Sequence, residues 1–235
     1  MIIYVNGDSH AAAAEAVVPF GWAEDDPFFY GLGKRPHPEN ERASFGCEIA
    51  NQLNAILDCD AQSGASNARI MRTTRQWVDE CYDSRDQVLV IIQWSTWERE
   101  EWIIDGGYYQ VGASGTDSVP ESHQEQYKAF IRNTNWHERG RFWHQAIWNL
   151  HQDLKNRDIP HVFFNGNNHF GEILERRDWG VNYLNPYDPS LTYDAILREN
   201  GYKTVNNASW HFGADAHCFW ADFMLNYARS NNLLP

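Results

Sequence analysis

A strand-like run, Ile2-Ile3-Tyr4-Val5-Asn6, gives way to Gly7-Asp8-Ser9-His10 and then to four alanines at 11–14. Ser9 is therefore expected on a strand-to-helix turn, where free backbone N–H groups and the positive end of a helix can stabilise an oxyanion. The chemistry that suits such a serine is nucleophilic acyl transfer, although the same tripeptide also serves as an ordinary helix cap.

A serine nucleophile needs a base, and spacing thins out the ten histidines. His137, His144 and His151 recur at every seventh position of a helical segment. They share one face but lie about 10 Å apart along the axis, too far to hold one metal, and read as a packing or polar stripe. His161 opens a strand and His169 follows an Asn-rich turn, both structural positions. His10 either contacts substrate or caps the turn. The remaining candidate is His211, in the segment Ser209-Trp210-His211-Phe212-Gly213-Ala214-Asp215-Ala216-His217 ahead of the last helix.

The elements that would position these residues follow from hydrophobic periodicity. Strands are expected at 2–6, about 58–62, 88–92 and 160–164. Helices are expected over the alanine run, Phe45 to Ile56, 68–82 with Ser66 or Asn67 as cap, about 122–156, 190–200 and Ala214 to Ser230. Val88-Leu89-Val90-Ile91-Ile92 has the unbroken aliphatic pattern of a central parallel strand. Loop insertions rich in aromatics and glycine fall near 19–42 and 95–120. The alternation predicts one domain over residues 1–235, an α/β fold with a three-layer α/β/α sandwich around a parallel sheet. Ligands bind such sheets beyond the carboxyl ends of the strands. Ser9, Gly64 to Asn67 and Gln93 to Thr96 all fall there, which makes His10, Gln93, Trp94 and Ser95 candidate substrate contacts.

With 19 basic against 32 acidic residues the formal charge is −13, which argues against nucleic acid and against an anionic membrane surface as partners. Cys47, Cys59, Cys81 and Cys218 form no CxxC pair, so neither a zinc site nor a disulfide framework is expected. No run approaches the roughly 20 apolar residues of a membrane span. The first residues lack the pattern of an export signal, which points to a cytoplasmic or intracellular setting. The 11 Trp, 11 Tyr and 12 Phe exceed a minimal core, so some are expected to line a groove or a homo-oligomer contact, with a larger core as the equal alternative.

In order and spacing, Gly7-Asp8-Ser9, the Gly64 to Asn67 turn and the loop from His211 to His217 resemble the SGNH (GDSL-type) hydrolases over nearly the whole chain. The resemblance implies a flavodoxin-like sandwich and a metal-independent serine esterase without a cofactor. Its substrate would be a small acyl ester, O-acetyl carbohydrate included. It implies Ser9 as nucleophile and His211 as general base, with His217 packed inside the last helix. It also implies an oxyanion hole from the backbone N–H groups of Ser9 and Gly64 plus a side-chain amide, for which Asn67 is preferred.

Two departures stand out. The family's Gly-x-Asn-Asp segment is replaced by Gln93-Trp94-Ser95-Thr96, so Asn67, Ser95 or Gln93 substitutes for the amide or the hole is incomplete. The family's Asp three residues before the catalytic histidine is replaced by Ala208, which leaves a Ser9–His211 dyad whose tautomer a backbone carbonyl would hold. Asp215 and Asp8 are poorly placed to replace it. Trp94 to Glu100 and Gly64 to Thr74 resemble a variant seen in viral members, virion-associated ones included, and Arg69, Arg72 and Arg99 read as ion-pair partners of Glu98, Glu100 or Glu101. The competing function is a binding or structural protein that keeps the fold, with Ala208 and Gln93 recording lost catalysis. A nucleotide-binding domain is disfavoured because the first loop lacks a glycine-rich phosphate cradle.

Overall fold

Residues 1–29, 35–83, 86–112 and 119–234 are described by a computed structural model. The strands among them are β1 (Ile2–Asn6), β2 (Ile56–Cys59), β3 (Val88–Trp94), β4 (Glu100–Ile104), β5 (Gly107–Val111) and β6 (His161–Asn165). The helices are α1 (Pro38–Arg42), α2 (Phe45–Gln52), α3 (Asn67–Glu80), α4 (Gln124–Asn133), α5 (Trp136–Asn156), α6 (Tyr193–Glu199) and α7 (Ala214–Ser230).

The central sheet is parallel, in the order β2-β1-β3-β6. Successive side chains of a strand point to opposite faces, and here each face has its own core. Ile3, Val5, Leu89, Ile91, Val162 and Phe164 pack with α2, α6 and α7. Tyr4, Val88, Val90, Ile92, Trp94 and Phe163 pack with α3 and α5. The expected three-layer sandwich is thus realised. The strand order reverses at β1, with β2 added on one side and β3 on the other, so a crevice opens beyond the carboxyl ends of β1 and β3, where open α/β sheets bind ligands. No described helix is long and apolar enough to cross a membrane.

Several element expectations are corrected. The alanine run is not a helix. It winds through turns in which the N–H of Ala12 donates to Asp8 O and that of Ala14 to Ser9 O, both at 2.9 Å, and Ala13 and Glu15 take positive φ of 50° and 60°. The helix at 45–56 stops at Gln52, and Ile56 already belongs to β2, two residues ahead of the strand expected at 58–62. The expected helix at 122–156 is broken, because Asn135 Oδ1 accepts from the N–H groups of His137 and Glu138 and so caps a new helix, α5. The insert at 95–120 contains an antiparallel hairpin, β4–β5. Its turn, Asp105-Gly106, has positive φ at both residues (49° and 79°), the chemistry that a two-residue hairpin requires. Parts of the two expected loops, residues 30–34 and 113–118, lie outside the described residues. Ser66 caps α3 as expected, its hydroxyl accepting from the N–H of Arg69 at 3.3 Å, and α7 spans the expected residues.

Candidate active site

The turn after β1 is built around a buried glutamine. Gln93, fully buried at the end of β3, accepts from the N–H of Asp8 at 2.9 Å through its side-chain oxygen and donates to Trp94 O at 2.8 Å. Both neighbours must be glycine: a Cβ on Gly7 would stand 2.7 Å from Gln93 Oε1 and 2.6 Å from Ala11 Cβ, and one on Gly166 would stand 2.6 Å from Gln93 Nε2. We expect Gly7→Ala to cost about 1–3 kcal/mol, as overpacking does, and to displace the Asp8–Ser9 turn. Urea denaturation checks this, and an unchanged midpoint would mean that Gln93 yields freely.

Asp8 ties the turn to the next strand. Its carboxylate accepts from the N–H of His10 (3.0 Å), Ser95 Oγ (2.7 Å) and Arg99 Nη1 (2.8 Å). Burial alone would raise this carboxyl, but Arg99, His10 and those hydrogen bonds outweigh it and hold Asp8 below the ordinary carboxylate value. Ser9 is 6% exposed. Without a helix behind it, the turn supplies no helix dipole, so the expected dipole contribution at Ser9 is corrected. The backbone N–H groups of Ser9 and of Gly64, which takes a φ of +77°, donate no hydrogen bond among the described residues.

His211 sits across the cleft on the loop before α7. Its Nδ1 lies 2.7 Å from Glu15 Oε2. The Ser209 hydroxyl donates to the same Glu15 oxygen and accepts from the N–H of His211 at 2.9 Å. Glu15 reaches this point from a left-handed backbone conformation that costs an L-residue about 1–2 kcal/mol. His211 thus has a carboxylate partner, but from the other end of the chain.

Ser9, His10, Gly64 and His211 line one cleft of about 820 Å³, with Arg99 and Asn168 on its walls. His10 is buried beside His211, their ring centroids 5.5 Å apart. Its Nδ1 has no partner, and burial pushes its pKa down to about 4, Asp8 only partly opposing this, so the ring is neutral near pH 7. No hydrogen bond among the described residues engages the Ser9 hydroxyl, which shares the cleft with His211. A second pocket, about 360 Å³, adjoins the cleft at Ser63 and His211 and is walled by Phe20, Trp22, Phe28 and Phe29. Trp22 stacks on His37 there at 3.6 Å.

Four expected site residues lie elsewhere. Asn67 is fully buried, and its side chain is spent on the backbone of Ser95: Nδ2 donates to Ser95 O at 3.0 Å and Oδ1 accepts from Ser95 N at 2.8 Å. It secures the end of β3 and does not line the cleft. Gln93 and Trp94 are fully buried and Ser95 is 1% exposed, its hydroxyl committed to Asp8, so none of the three is placed to touch substrate. Of the arginines, Arg72 pairs with Glu101 at 2.7 Å as expected, but Arg99 pairs with Asp8, and Arg69 donates to Asp60 O. His217 packs inside as expected, its Nδ1 accepting from the N–H of Phe45 at 3.3 Å.

Sequence reasoning missed Glu15, Ser209 and Asn168. Nothing local marks Glu15, because its partner is far away in the chain. Asn168 does follow a strand end, that of β6, within the Asn-rich turn before His169. In the amide orientation that satisfies its surroundings, Asn168 Oδ1 accepts from both N–H groups of Trp97 at 3.2 Å, which leaves its NH2 group as a donor. Among the described residues no group of three His, Cys, Asp or Glu side chains could hold a metal ion.

The model of a family of unknown function, DUF6071, matches residues 32–202, a span that excludes both Ser9 and His211. No curated protein matches the chain. Solved structures similar to it include a carbohydrate esterase whose active site is described as having divergent catalytic and non-catalytic binding functions. That likeness has 13% identity and a TM-score of 0.47 over 97% of this chain and 64% of that one, so the chain spans less than two thirds of that protein. Others are the psychrotrophic esterase EstA from Pseudoalteromonas sp. (10% identity, TM-score 0.45, 97% of each chain) and a Desulfitobacterium hafniense protein assigned to the lipolytic G-D-S-L family (11%, 0.44, 96% of this chain and 98% of that one). With TM-scores below 0.5, the functional reading rests on the residues of the site and not on these likenesses, and the viral branch gains no support from them.

Proposed function

Because the chain belongs to a family of unknown function, DUF6071, its membership brings no activity with it, and we propose from the site itself that the protein is a serine ester hydrolase. One observation carries this reading: a serine, a histidine and two residues with uncommitted backbone N–H groups, Ser9 itself and Gly64, line one cleft. Ser9 Oγ attacks the ester carbonyl while His211 Nε2 takes its proton, and the imidazolium then protonates the departing alcohol. Water repeats the sequence on the acyl-enzyme. The oxyanion is met by the N–H groups of Ser9 and Gly64 and by the amide of Asn168, which takes the part expected of Asn67. Each such donor is worth about 10²–10³ in kcat, so Asn168→Ala is expected to slow turnover by about that factor, with Asn67→Ala acting mainly on stability.

The substrate we infer is a small acyl ester of a ring-bearing alcohol, an O-acetylated sugar first. The 360 Å³ pocket beside His211 offers aromatic faces on which such a ring stacks. The test is hydrolysis of a short-chain p-nitrophenyl ester by the wild type beside Ser9→Ala and His211→Ala variants of matched circular dichroism, together with labelling by a fluorophosphonate. Labelling at Ser9 and turnover lost in both variants support the reading. An inert Ser9 and no turnover above background would replace it with a binding protein that keeps the fold.

A further inference from the structure

We propose that Glu15 is the residue that positions His211, so that the acid of the site has moved from the loop of the histidine to the loop of the nucleophile. The inference rests on His211 as the base. At Ala208, where the resemblance expects a carboxylate, there is none. Three nearby aspartates are engaged elsewhere: Asp8 by Arg99 and Ser95, Asp194 through Oδ2 by Arg198, and Asp215 by the N–H of Ala216. Glu15 Oε2 instead stands 2.7 Å from His211 Nδ1. A carboxylate only accepts, so Nδ1 must carry the proton and the lone pair is left on Nε2, the nitrogen that a base requires. When Nε2 takes the Ser9 proton, the positive charge forms beside the Glu15 carboxylate, which stabilises it.

Three features show that this contact is built. Ser209 donates to the same carboxylate oxygen and accepts from the backbone N–H of His211, so the acid and the histidine loop are clamped at two points. Glu15 adopts a φ of 60°, and Ala13 a φ of 50°, in a run whose composition favours helix. Residues held in this region tend to cluster where geometry serves function. The contact also joins the turn of the nucleophile to the loop of the base directly, which fixes the two relative to each other.

The experiment is Glu15→Gln, read in two ways. In the wild type, NMR of the labelled imidazoles above pH 7 should show His211 as the Nδ1–H tautomer with a downfield, solvent-protected proton. In Glu15→Gln the amide can present its NH2 to Nδ1, and the tautomer should become mixed or reversed with that proton lost. On a short-chain ester kcat should fall about 10³–10⁴-fold, the size seen when the wrong tautomer is held, with KM changed only a few-fold. Glu15→Gly, which suits the left-handed backbone, should fold and show the same loss. A Glu15→Gln protein that keeps both the tautomer and kcat overturns the proposal while Ser9-dependent hydrolysis stands. A wild type that hydrolyses nothing, yet loses its held Nδ1 proton in Glu15→Gln, overturns the esterase reading and supports the positioning role.

Discussion

Ser9→Ala is expected to lower kcat for a short-chain ester by a factor on the order of 10⁵–10⁶, with KM little changed. Removing the nucleophile of a Ser–His unit costs about that much, and what remains comes from the oxyanion donors and from binding. The geometry here sharpens the expectation. The backbone that carries Ser9 is fixed by Gln93 and Asp8, not by the hydroxyl, and the hydroxyl itself holds nothing in place. The substitution should therefore leave stability within about 0.5 kcal/mol, the range of changes that touch no such feature. His211→Ala should match the loss, and the double variant should be no worse than either, since members of one catalytic unit are not additive. Steady-state kinetics on the three proteins checks this, and a Ser9→Ala enzyme within tenfold of wild type would exclude Ser9 as nucleophile.

The second large effect is loss of stability in mild acid. Five buried histidines have pKa values pushed below the ordinary 6.5. Burial is the main cause in each, and it brings His10, His144 and His161 to about 4 and His217 to about 3, with His151 depressed in the same way. For His144, His161 and His217 the hydrogen bonds explain why the neutral form is required, because each accepts through one ring nitrogen. Tyr187 Oη accepts from both Trp179 Nε1 and the N–H of Arg177, which fills its lone pairs, so its own proton goes to His144 Nε2, 2.9 Å away. His161 Nδ1 donates to Ile159 O, which leaves its Nε2 to accept from His151 Nδ1 at 2.8 Å. His217 Nδ1 accepts from the N–H of Phe45. The direction follows directly: between pH 6.5 and about 4 the unfolded chain binds protons that the folded chain refuses. Stability is full above pH 6.5 and falls as the pH drops through that window. Each histidine contributes a slope of up to about 1.4 kcal/mol per pH unit while it is neutral in the folded chain and protonated in the unfolded one, so stability should fall steeply across that window. Urea titrations at pH 7.5, 6.5, 5.5 and 4.5 measure the slope. His144→Gln, which keeps an acceptor for Tyr187 but cannot titrate, should flatten it by one histidine's share. A flat profile between pH 7 and 5 would be incompatible with neutral buried imidazoles.

What the sequence by itself determined was local or periodic. Val88 to Ile92 had to be a strand covered on both faces, because a run of β-branched and aliphatic residues has no polar face to give to solvent. A helix had to start at Ser66 or Asn67, and Ser9 had to follow the first strand. The placement of Ser9 and Gly64 at the carboxyl end of the sheet then followed from the rule for parallel sheets, whereas His211 stood out by elimination among the histidines and by the resemblance. Asp105-Gly106 carries a local hairpin signal as well.

Only the tertiary structure decided which polar groups meet. The alanine run has the highest intrinsic helix propensity in the chain, yet propensity is a weak prior of a few tenths of a kcal/mol per residue, and here the contacts of Glu15 with Ser209 and His211 win. Asn67 and Gln93 carry the amides that an oxyanion hole wants, but a buried backbone N–H left without a partner costs about 1–3 kcal/mol, and those of Ser95 and Asp8 claim them first. Such pairings join residues far apart in the chain, so no local pattern encodes them; the packing of the sheet brings them within 3 Å, and only then does the acid find its base.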